Sequence, residues 1–176
     1  ATGELLLDDC RVPAANRLPE ARGLKAPLSC LSEARYGIAW GAVGAAVACY
    51  ASALDYMQSR TQFGKPLSAY QLSQQKLADM LTEITKAQLL AGRIAELKER
   101  GRLTPVQVSM AKRSNVRAAI DIAREARAML GANGVSLEYP VIRHMNNLES
   151  VLTYEGTEEI HALVLGEHIT GHAAYR

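Results

Sequence analysis

The residues with the clearest potential for chemistry lie in the stretch from Thr153 to Thr157, which reads Thr-Tyr-Glu-Gly-Thr. It places a single carboxylate, Glu155, before Gly156, a residue that lets the backbone turn tightly and a ligand approach closely. Such a carboxylate can remove a proton from a bound carbon acid if the pocket around it excludes water. The alternative is an acidic turn that only starts a surface helix, and the pentapeptide alone leaves both interpretations open.

The segment after this stretch predicts a helix that would fix its C-terminal side. Thr157 has the side chain of a helix N-cap, and Glu158 and Glu159 would lie in the positively polarised first turn. The helix is expected to run to about Thr170, with three apolar residues facing inward: Ile160, Leu163 and Val164.

Apolar residues recur at helical spacing through most of the remaining chain. A first helix is predicted over residues 31–59 and a second over about residues 68–100. A third starts with Thr104 as N-cap and Pro105 at the first helical position, and a shorter one begins near Pro140. Long helices joined by short breaks predict an all-α fold, an antiparallel four-helix-type bundle.

The N-terminal segment differs from the rest. Residues 3–12 predict a short strand, and the prolines and glycine of residues 13–28 predict an irregular connector.

Residues 38–54 carry no charge, which raises the question of a membrane helix. The segment is slightly short for a span and consists mostly of small residues rather than Leu, Ile or Phe. We therefore predict a helix buried on nearly all sides in the bundle, and no membrane span.

Composition and residue spacing exclude several function classes. The formal net charge of +2 gives no electrostatic footprint for nucleic acid. Glu158 and His161 have the spacing of a di-iron helix motif, but no second copy exists, so exposed helix residues and no metal site are predicted. The three cysteines fit neither a zinc pattern nor a disulfide framework.

A second candidate site is the run Arg60-Thr61-Gln62-Phe63-Gly64. Arg60 can grip a phosphate with two hydrogen bonds, and Phe63 offers an aromatic face to a ring. The alternative is that Arg60 only stabilises the C-terminus of its own helix.

Several motifs, in matching order and spacing, together resemble the acyl-CoA dehydrogenase family. They are residues 60–67 with Gln71 and residues 76–80, residues 128–134 with 138–140, and residues 154–157. Three further runs, residues 35–41, 160–163 and 169–171, look closest to the glutaryl-CoA dehydrogenase branch.

This resemblance implies a domain arrangement. Residues 1–28 would be the end of a middle β-domain and its connector, so the strand of residues 3–12 would be a remnant of that domain. Residues 29–176 would be the C-terminal helical bundle domain. Most of the flavin cradle would lie outside this chain, and the chain alone is expected to be inactive.

The resemblance also implies residue roles. Glu155 resembles the catalytic base that takes the α-proton of an acyl thioester, while the β-hydrogen leaves as hydride to FAD. Its backbone N–H is one expected donor to the thioester carbonyl. Arg35 and Gly156 match substrate-binding positions. The residues that match FAD-binding positions are Arg60, Phe63, Gln71, Ala128, Met129, Leu130, Gly131, Ala132 and Thr157. Ala132 stands where the family usually has glycine.

The implied activity is that of an FAD-dependent acyl-CoA dehydrogenase. The glutaryl-CoA branch would follow oxidation with decarboxylation to crotonyl-CoA. The alternatives are a different chain-length specificity or a non-catalytic helical oligomerisation module. The expected partners are an acyl-CoA, electron-transfer flavoprotein as electron acceptor, and further copies of the chain in a homotetramer. The expected location is the cytoplasm in a bacterium and the mitochondrial matrix in a eukaryote.

Overall fold

A computed structural model describes residues 3–174, which form five α-helices and one two-stranded hairpin. The helices are α1 (Lys25–Ser59), α2 (Gln71–Glu99), α3 (Pro105–Met129), α4 (Val141–Thr153) and α5 (Glu158–Thr170). The strands β1 (Thr61–Gln62) and β2 (Lys65–Pro66) pair antiparallel between α1 and α2. The predicted all-α bundle is confirmed. Residues 1–2 and 175–176 of the two predicted domains lie outside the described residues.

Helix α3 is the centre of the bundle. It contacts the other four helices, and its contact with α1 is the most extensive. The buried cluster shared by these helices is rich in alanine: Ala42, Ala46 and Ala53 on α1, and Ala119, Ala123 and Ala126 on α3. Small side chains let two helices approach closely, and the longer Leu77, Met80 and Ile84 of α2 complete this core.

Two predicted helix N-caps, Thr104 and Thr157, are confirmed. Thr104 Oγ1 accepts a hydrogen bond from the Gln107 N–H, and the Gln107 side chain accepts one from the Thr104 N–H, which is a capping box at the start of α3. Thr157 Oγ1 accepts from the Ile160 N–H at 3.4 Å and caps α5.

Two helices start at different residues from those predicted. Helix α1 begins at Lys25, before the expected start and before the predicted domain boundary after residue 28. Pro27 is tolerated there because a first-turn N–H has no partner within its helix. Helix α2 begins at Gln71 because residues 67–69 form a 3₁₀ turn and Tyr70 is extended. The domain boundary itself stays a prediction.

The predicted strand at residues 3–12 is not formed within the described chain. A strand needs a neighbouring strand for its backbone hydrogen bonds, and no ladder includes this segment. The side chains of Leu5, Leu6 and Leu7 are largely exposed.

The prediction that residues 38–54 are buried on nearly all sides is wrong. One stripe of α1 packs inward, and the opposite face exposes residues that include Gly37, Gly41 and Trp40, the last 43% exposed. By length and composition α1 could cross a membrane, a test that core helices of soluble proteins also pass. Alanine and glycine occupy both faces, so the apolar pattern does not distinguish them.

The side chain of Asn115 joins three helices at the centre of the bundle. From α3, its Nδ2 donates to the carbonyl oxygens of Ala39 on α1 and Ala87 on α2, both at 3.1 Å. Because it is buried, the amide adds directional bonds to an otherwise apolar core.

Replacing Asn115 by aspartate should therefore lower the free energy of unfolding by about 3–5 kcal/mol. The change keeps the side-chain shape but turns a donor into a carboxylate that faces two carbonyl oxygens. Urea or thermal denaturation of Asn115→Asp measures the loss. Asn146→Asp, on the exposed face of α4, is the control and should change stability by less than about 0.5 kcal/mol. Equal stability of the two variants would contradict this account of Asn115.

Candidate functional site

The loop between α4 and α5 has an unusual backbone. Tyr154 ends α4 with its N–H on the Ser150 carbonyl, and the chain then turns with φ +56° at Glu155 and +92° at Gly156. A non-glycine residue in the left-handed region costs about 1–2 kcal/mol. The position of the Glu155 side chain therefore depends on contacts that hold this backbone in place. We call residues 154–156 the base loop.

Two cationic side chains, from helices that lie far from the base loop in the sequence, donate hydrogen bonds to its carbonyl oxygens. Lys112 Nζ on α3 donates to the Tyr154 oxygen at 2.8 Å and to the Gly156 oxygen at 2.6 Å. Arg35 Nε on α1 donates to the Glu155 oxygen at 2.7 Å. Three consecutive carbonyls thus accept charge-assisted bonds, which are about twice as strong as neutral ones.

Gly156 is required by space as well as by conformation. A Cβ atom at this position would lie 3.1 Å from Nε2 of His161 and 3.4 Å from an Arg35 guanidinium nitrogen. The base loop therefore packs directly on side chains of α5 and α1, and the glycine predicted here for close approach serves this packing.

The His161 side chain packs against the base loop at Gly156. Its side chain is 1% exposed, and neither ring nitrogen has a hydrogen bond of good geometry to any described residue. Burial, followed by the charges of Lys112 and Arg35, lowers the pKa of His161 to about 4, although nearby backbone of the base loop offsets part of this effect. The imidazole is therefore neutral at neutral pH.

The electrostatics of Lys112 follow from its burial. The side chain is 1% exposed, and burial lowers its pKa to about 8, with a further lowering by Arg35 and an opposing effect of Glu155. Lys112 therefore still carries its charge at neutral pH.

One carboxylate oxygen of Glu155 is buried without a partner among the described residues. The residue is partly buried, and its Oε2 atom is buried with no hydrogen-bond partner in residues 3–174. Its backbone N–H also lacks a partner in that range. The site thus offers an unpaired acceptor and an unpaired donor on one residue, which suits proton abstraction next to a carbonyl group.

Most of the residues predicted to bind FAD lie apart from those around Glu155. A pocket of about 350 Å³ brings Arg60 together with residues 129–132, and Tyr56, Gln62, Leu67 and Asn133 complete its lining. Leu130 contributes backbone to it, because its side chain is in the core. Gly134 anchors this loop on the end of α3, since a Cβ there would overlap the Arg127 carbonyl.

The other predicted FAD-binding residues do not line this pocket. Phe63 is 93% exposed, at the tip of the hairpin, with φ +51°. Gln71 is exposed at the start of α2 and Ala128 at the end of α3, whereas Thr157 caps α5 next to the base loop. The roles of these residues stay predictions.

The interpretation of Glu158 and His161 as exposed helix residues is wrong. Glu158 forms ion pairs with Arg113 and Arg117 of α3, which ties the first turn of α5 to the bundle. His161 is buried, whereas Ile160, predicted to face inward, is 44% exposed. Apolarity alone therefore misplaced Ile160, whereas Leu163 and Val164 are half-buried.

Sequence reasoning missed Lys112 entirely. A usable signal existed: Val108, Lys112 and Val116 are spaced four residues apart on the buried stripe of α3. A charged residue inside such a stripe needs a buried partner, and here the base loop supplies it.

The chain matches the family model described as acyl-CoA dehydrogenase, C-terminal domain, over residues 21–170. It is 40% identical over 166 residues to a short-chain specific acyl-CoA dehydrogenase of Megasphaera elsdenii and 37% identical to a glutaryl-CoA dehydrogenase of Desulfococcus multivorans. These matches cover 94% and 93% of this chain and 43% of each relative.

A solved structure supports the same assignment. A glutaryl-CoA dehydrogenase from Mycobacterium smegmatis in complex with FADH2 superposes with a TM-score of 0.95 and 54% identity. The match covers 97% of this chain and 44% of that one. The chain therefore spans less than half the length of these relatives.

Gly156→Ala should disturb the base loop more than an equivalent change elsewhere. Gly171, which ends α5, also has a positive φ, but open space surrounds the position of its missing Cβ. Gly171→Ala should thus cost only the conformational penalty, about 1 kcal/mol, and Gly156→Ala about 2–4 kcal/mol because the new Cβ would also press on the buried His161 ring. Thermal denaturation compares the two, and equal losses would contradict the packing argument.

His161 should make stability fall at acidic pH. The unfolded state binds a proton near pH 6.5 and the folded state only near pH 4, so between these values the unfolded state holds more protons. The free energy of unfolding should then drop by about 2 kcal/mol from pH 7 to pH 5.

Denaturation of His161→Gln at both pH values tests this assignment, because that variant should lose most of the drop. His168→Gln, an exposed change on the same helix, should keep it. If the free energy of unfolding of His161→Gln falls as much as that of the wild type between pH 7 and pH 5, groups other than His161 cause the fall.

Proposed function

Because this chain belongs to the acyl-CoA dehydrogenase family and corresponds to its C-terminal domain, we propose that it supplies the catalytic base for FAD-dependent oxidation of an acyl-CoA. Members of this family are FAD-dependent oxidoreductases. The chain covers less than half of its relatives, so the reaction is that of the complete protein, in which other regions complete the pocket.

The observation that carries this proposal is the pair of unpaired groups on Glu155. The free Oε2 atom can accept the α-proton of a thioester, and the free N–H can donate to its carbonyl oxygen. That hydrogen bond stabilises the negative charge that develops on the carbonyl oxygen as the proton leaves.

The residues around Arg60, at the C-terminal ends of α1 and α3, fit FAD by their chemistry. Arg60, on the rim of its pocket, has no carboxylate partner within the described range, so its guanidinium is available to a phosphate. The exposed ring of Phe63 offers a face for stacking. When bound, FAD supplies the acceptor for the β-hydride.

For the substrate we propose glutaryl-CoA, with oxidation followed by decarboxylation to crotonyl-CoA. The supporting observation is the 54% identity to the glutaryl-CoA dehydrogenase of Mycobacterium smegmatis, against 40% to the short-chain specific enzyme of Megasphaera elsdenii. Arg35 is the candidate for contact with the CoA portion, because only its Nε is engaged by the base loop.

The remaining proposals concern partners and location. We propose a homotetramer, electron-transfer flavoprotein as the electron acceptor, no nucleic acid and no membrane span. The exposed glycine-rich face of α1 is a surface on which another copy could pack. The proposed location is the cytoplasm in a bacterium or the mitochondrial matrix in a eukaryote.

Glu155→Gln in the complete, flavin-loaded protein should reduce turnover of glutaryl-CoA by about 10²–10⁴-fold, because the amide cannot take up the proton. The measurement is anaerobic loss of the flavin absorbance after glutaryl-CoA is added, with butyryl-CoA as the comparison substrate.

Glu159→Gln is the matched control, since Glu159 is exposed on α5 and should leave turnover unchanged. Near-normal turnover in Glu155→Gln would remove the assignment of the base. Failure of every acyl-CoA to reduce the wild-type flavin would favour a non-catalytic oligomerisation module. Faster reduction by butyryl-CoA would leave the family reaction standing and overturn glutaryl-CoA as substrate.

A further inference from the structure

A lysine deep in the bundle bonds to the backbone on both sides of the proposed base. Lys112 Nζ contacts the carbonyl oxygens of Tyr154 and Gly156, residues that lie 42 and 44 positions later in the chain. These two bonds fix the peptide unit before Glu155 and the unit after Gly156. The Nζ atom of Lys112 therefore bonds to the first and the last carbonyl oxygen of the base loop.

The bonds matter because the backbone between them is strained. Glu155 and Gly156 both have positive φ angles, and the first of these is unfavourable for any residue with a Cβ. The direction of the Glu155 Cα–Cβ bond follows from these angles. Weakening the bonds that hold the loop would let Glu155 relax toward an ordinary conformation and turn its carboxylate.

The Lys112 ammonium reaches the carbonyl oxygens rather than the carboxylate of Glu155. Through these hydrogen bonds, Lys112 influences the position of the carboxylate by way of the backbone. Arg35 holds only the middle carbonyl, so removing Lys112 would release both ends of the loop at once.

We propose that Lys112 is a positioning residue for the base, which holds the base loop so that the Glu155 carboxylate meets the α-carbon of the bound thioester. This inference rests on the proposed function. It predicts that the loss of Lys112 slows proton abstraction more than it weakens thioester binding.

The test uses proton exchange rather than oxidation. The probe is an acyl-CoA with sulfur at the β position, which has no β-hydrogen to lose. In heavy water, Glu155 takes the α-proton, exchanges it with solvent and returns a deuteron, so one C–H bond becomes C–D and no electrons are transferred. NMR of the α-carbon gives the exchange rate, and titration of the flavin spectrum gives the Kd of the probe.

In the complete, flavin-loaded protein, Lys112→Met should lower the exchange rate by about 10- to 100-fold at saturating probe, because a displacement of about 1 Å can cost 10²-fold. The Kd should change by less than about threefold. Lys86→Met is the control, since Lys86 is an exposed lysine on α2 that pairs with Glu83 of the same helix. An exchange rate in Lys112→Met equal to that of Lys86→Met would overturn the proposal.

The variant Glu155→Gln separates this inference from the proposed function. If Glu155→Gln still exchanges the α-proton, the base assignment fails and the role of Lys112 fails with it. If Glu155→Gln loses exchange while Lys112→Met keeps it, only the positioning role is wrong.

The wild-type protein provides a second measurement if Lys112→Met does not fold. Since Lys112 has a pKa of about 8, its loss of charge should weaken both bonds and lower the exchange rate as the pH rises from 7 to 9. The other titratable groups that face it are Arg35, Tyr154, Glu155 and His161, and His161 is neutral throughout this range because its pKa is lowered to about 4. A rate that stays level to pH 9 would overturn the proposal.

Discussion

The left-handed backbone at Glu155 is the constraint on which the site depends. An isolated loop with this conformation would relax, since the strain amounts to about 1–2 kcal/mol. Three hydrogen bonds from Lys112 and Arg35 oppose it, and bonds to charged groups contribute about 1.5–3 kcal/mol each. The hydrogen bonds therefore outweigh the backbone strain. The position of the carboxylate is set by the helices of the bundle and not by the loop sequence alone.

Holding the loop in this way requires buried positive charge, which is costly unless it is paired and hydrogen-bonded. The carbonyl oxygens of the base loop satisfy Lys112, and the nearby Glu155 carboxylate favours its charged form. His161, in the same region, adds no third positive charge because its pKa is lowered to about 4. A neutral imidazole can thus pack beneath Gly156 without opposing the two cations.

Helix α3 links the site to the core of the bundle. Its alanines allow close contact with α1, and its buried stripe also carries Lys112 and Asn115, one turn apart. Lys112 reaches the base loop, while Asn115 bonds to α1 and α2. A shift of α3 relative to its neighbours would therefore disturb the core amide and the base loop together. The bundle provides the rigidity that the proposed base, on a short loop, would need.

The sequence by itself determined the helices and their main caps, and it pointed to Glu155 as the proposed base. Apolar periodicity and the residues Thr104, Pro105 and Thr157 act locally, within about one turn, so they can be read without knowing what the helices pack against. The resemblance of the motifs supplied Glu155 and the family. The start of α1 and the buried faces of α1 and α5 were harder to predict from the sequence. Pro27 does not prevent a helix when it lies in the first turn, and small residues do not distinguish a buried face from an exposed one.

Only the tertiary structure decided how the loop of the proposed base is held. Lys112, Arg35 and His161 come from three different helices and meet at residues 154–156 because the bundle folds them together. It also showed which face of α5 is buried and which predicted residues share a pocket with Arg60. The stripe of α3 could have shown that Lys112 is buried, but hydrogen bonds between residues more than 40 positions apart leave no local pattern that names the partner.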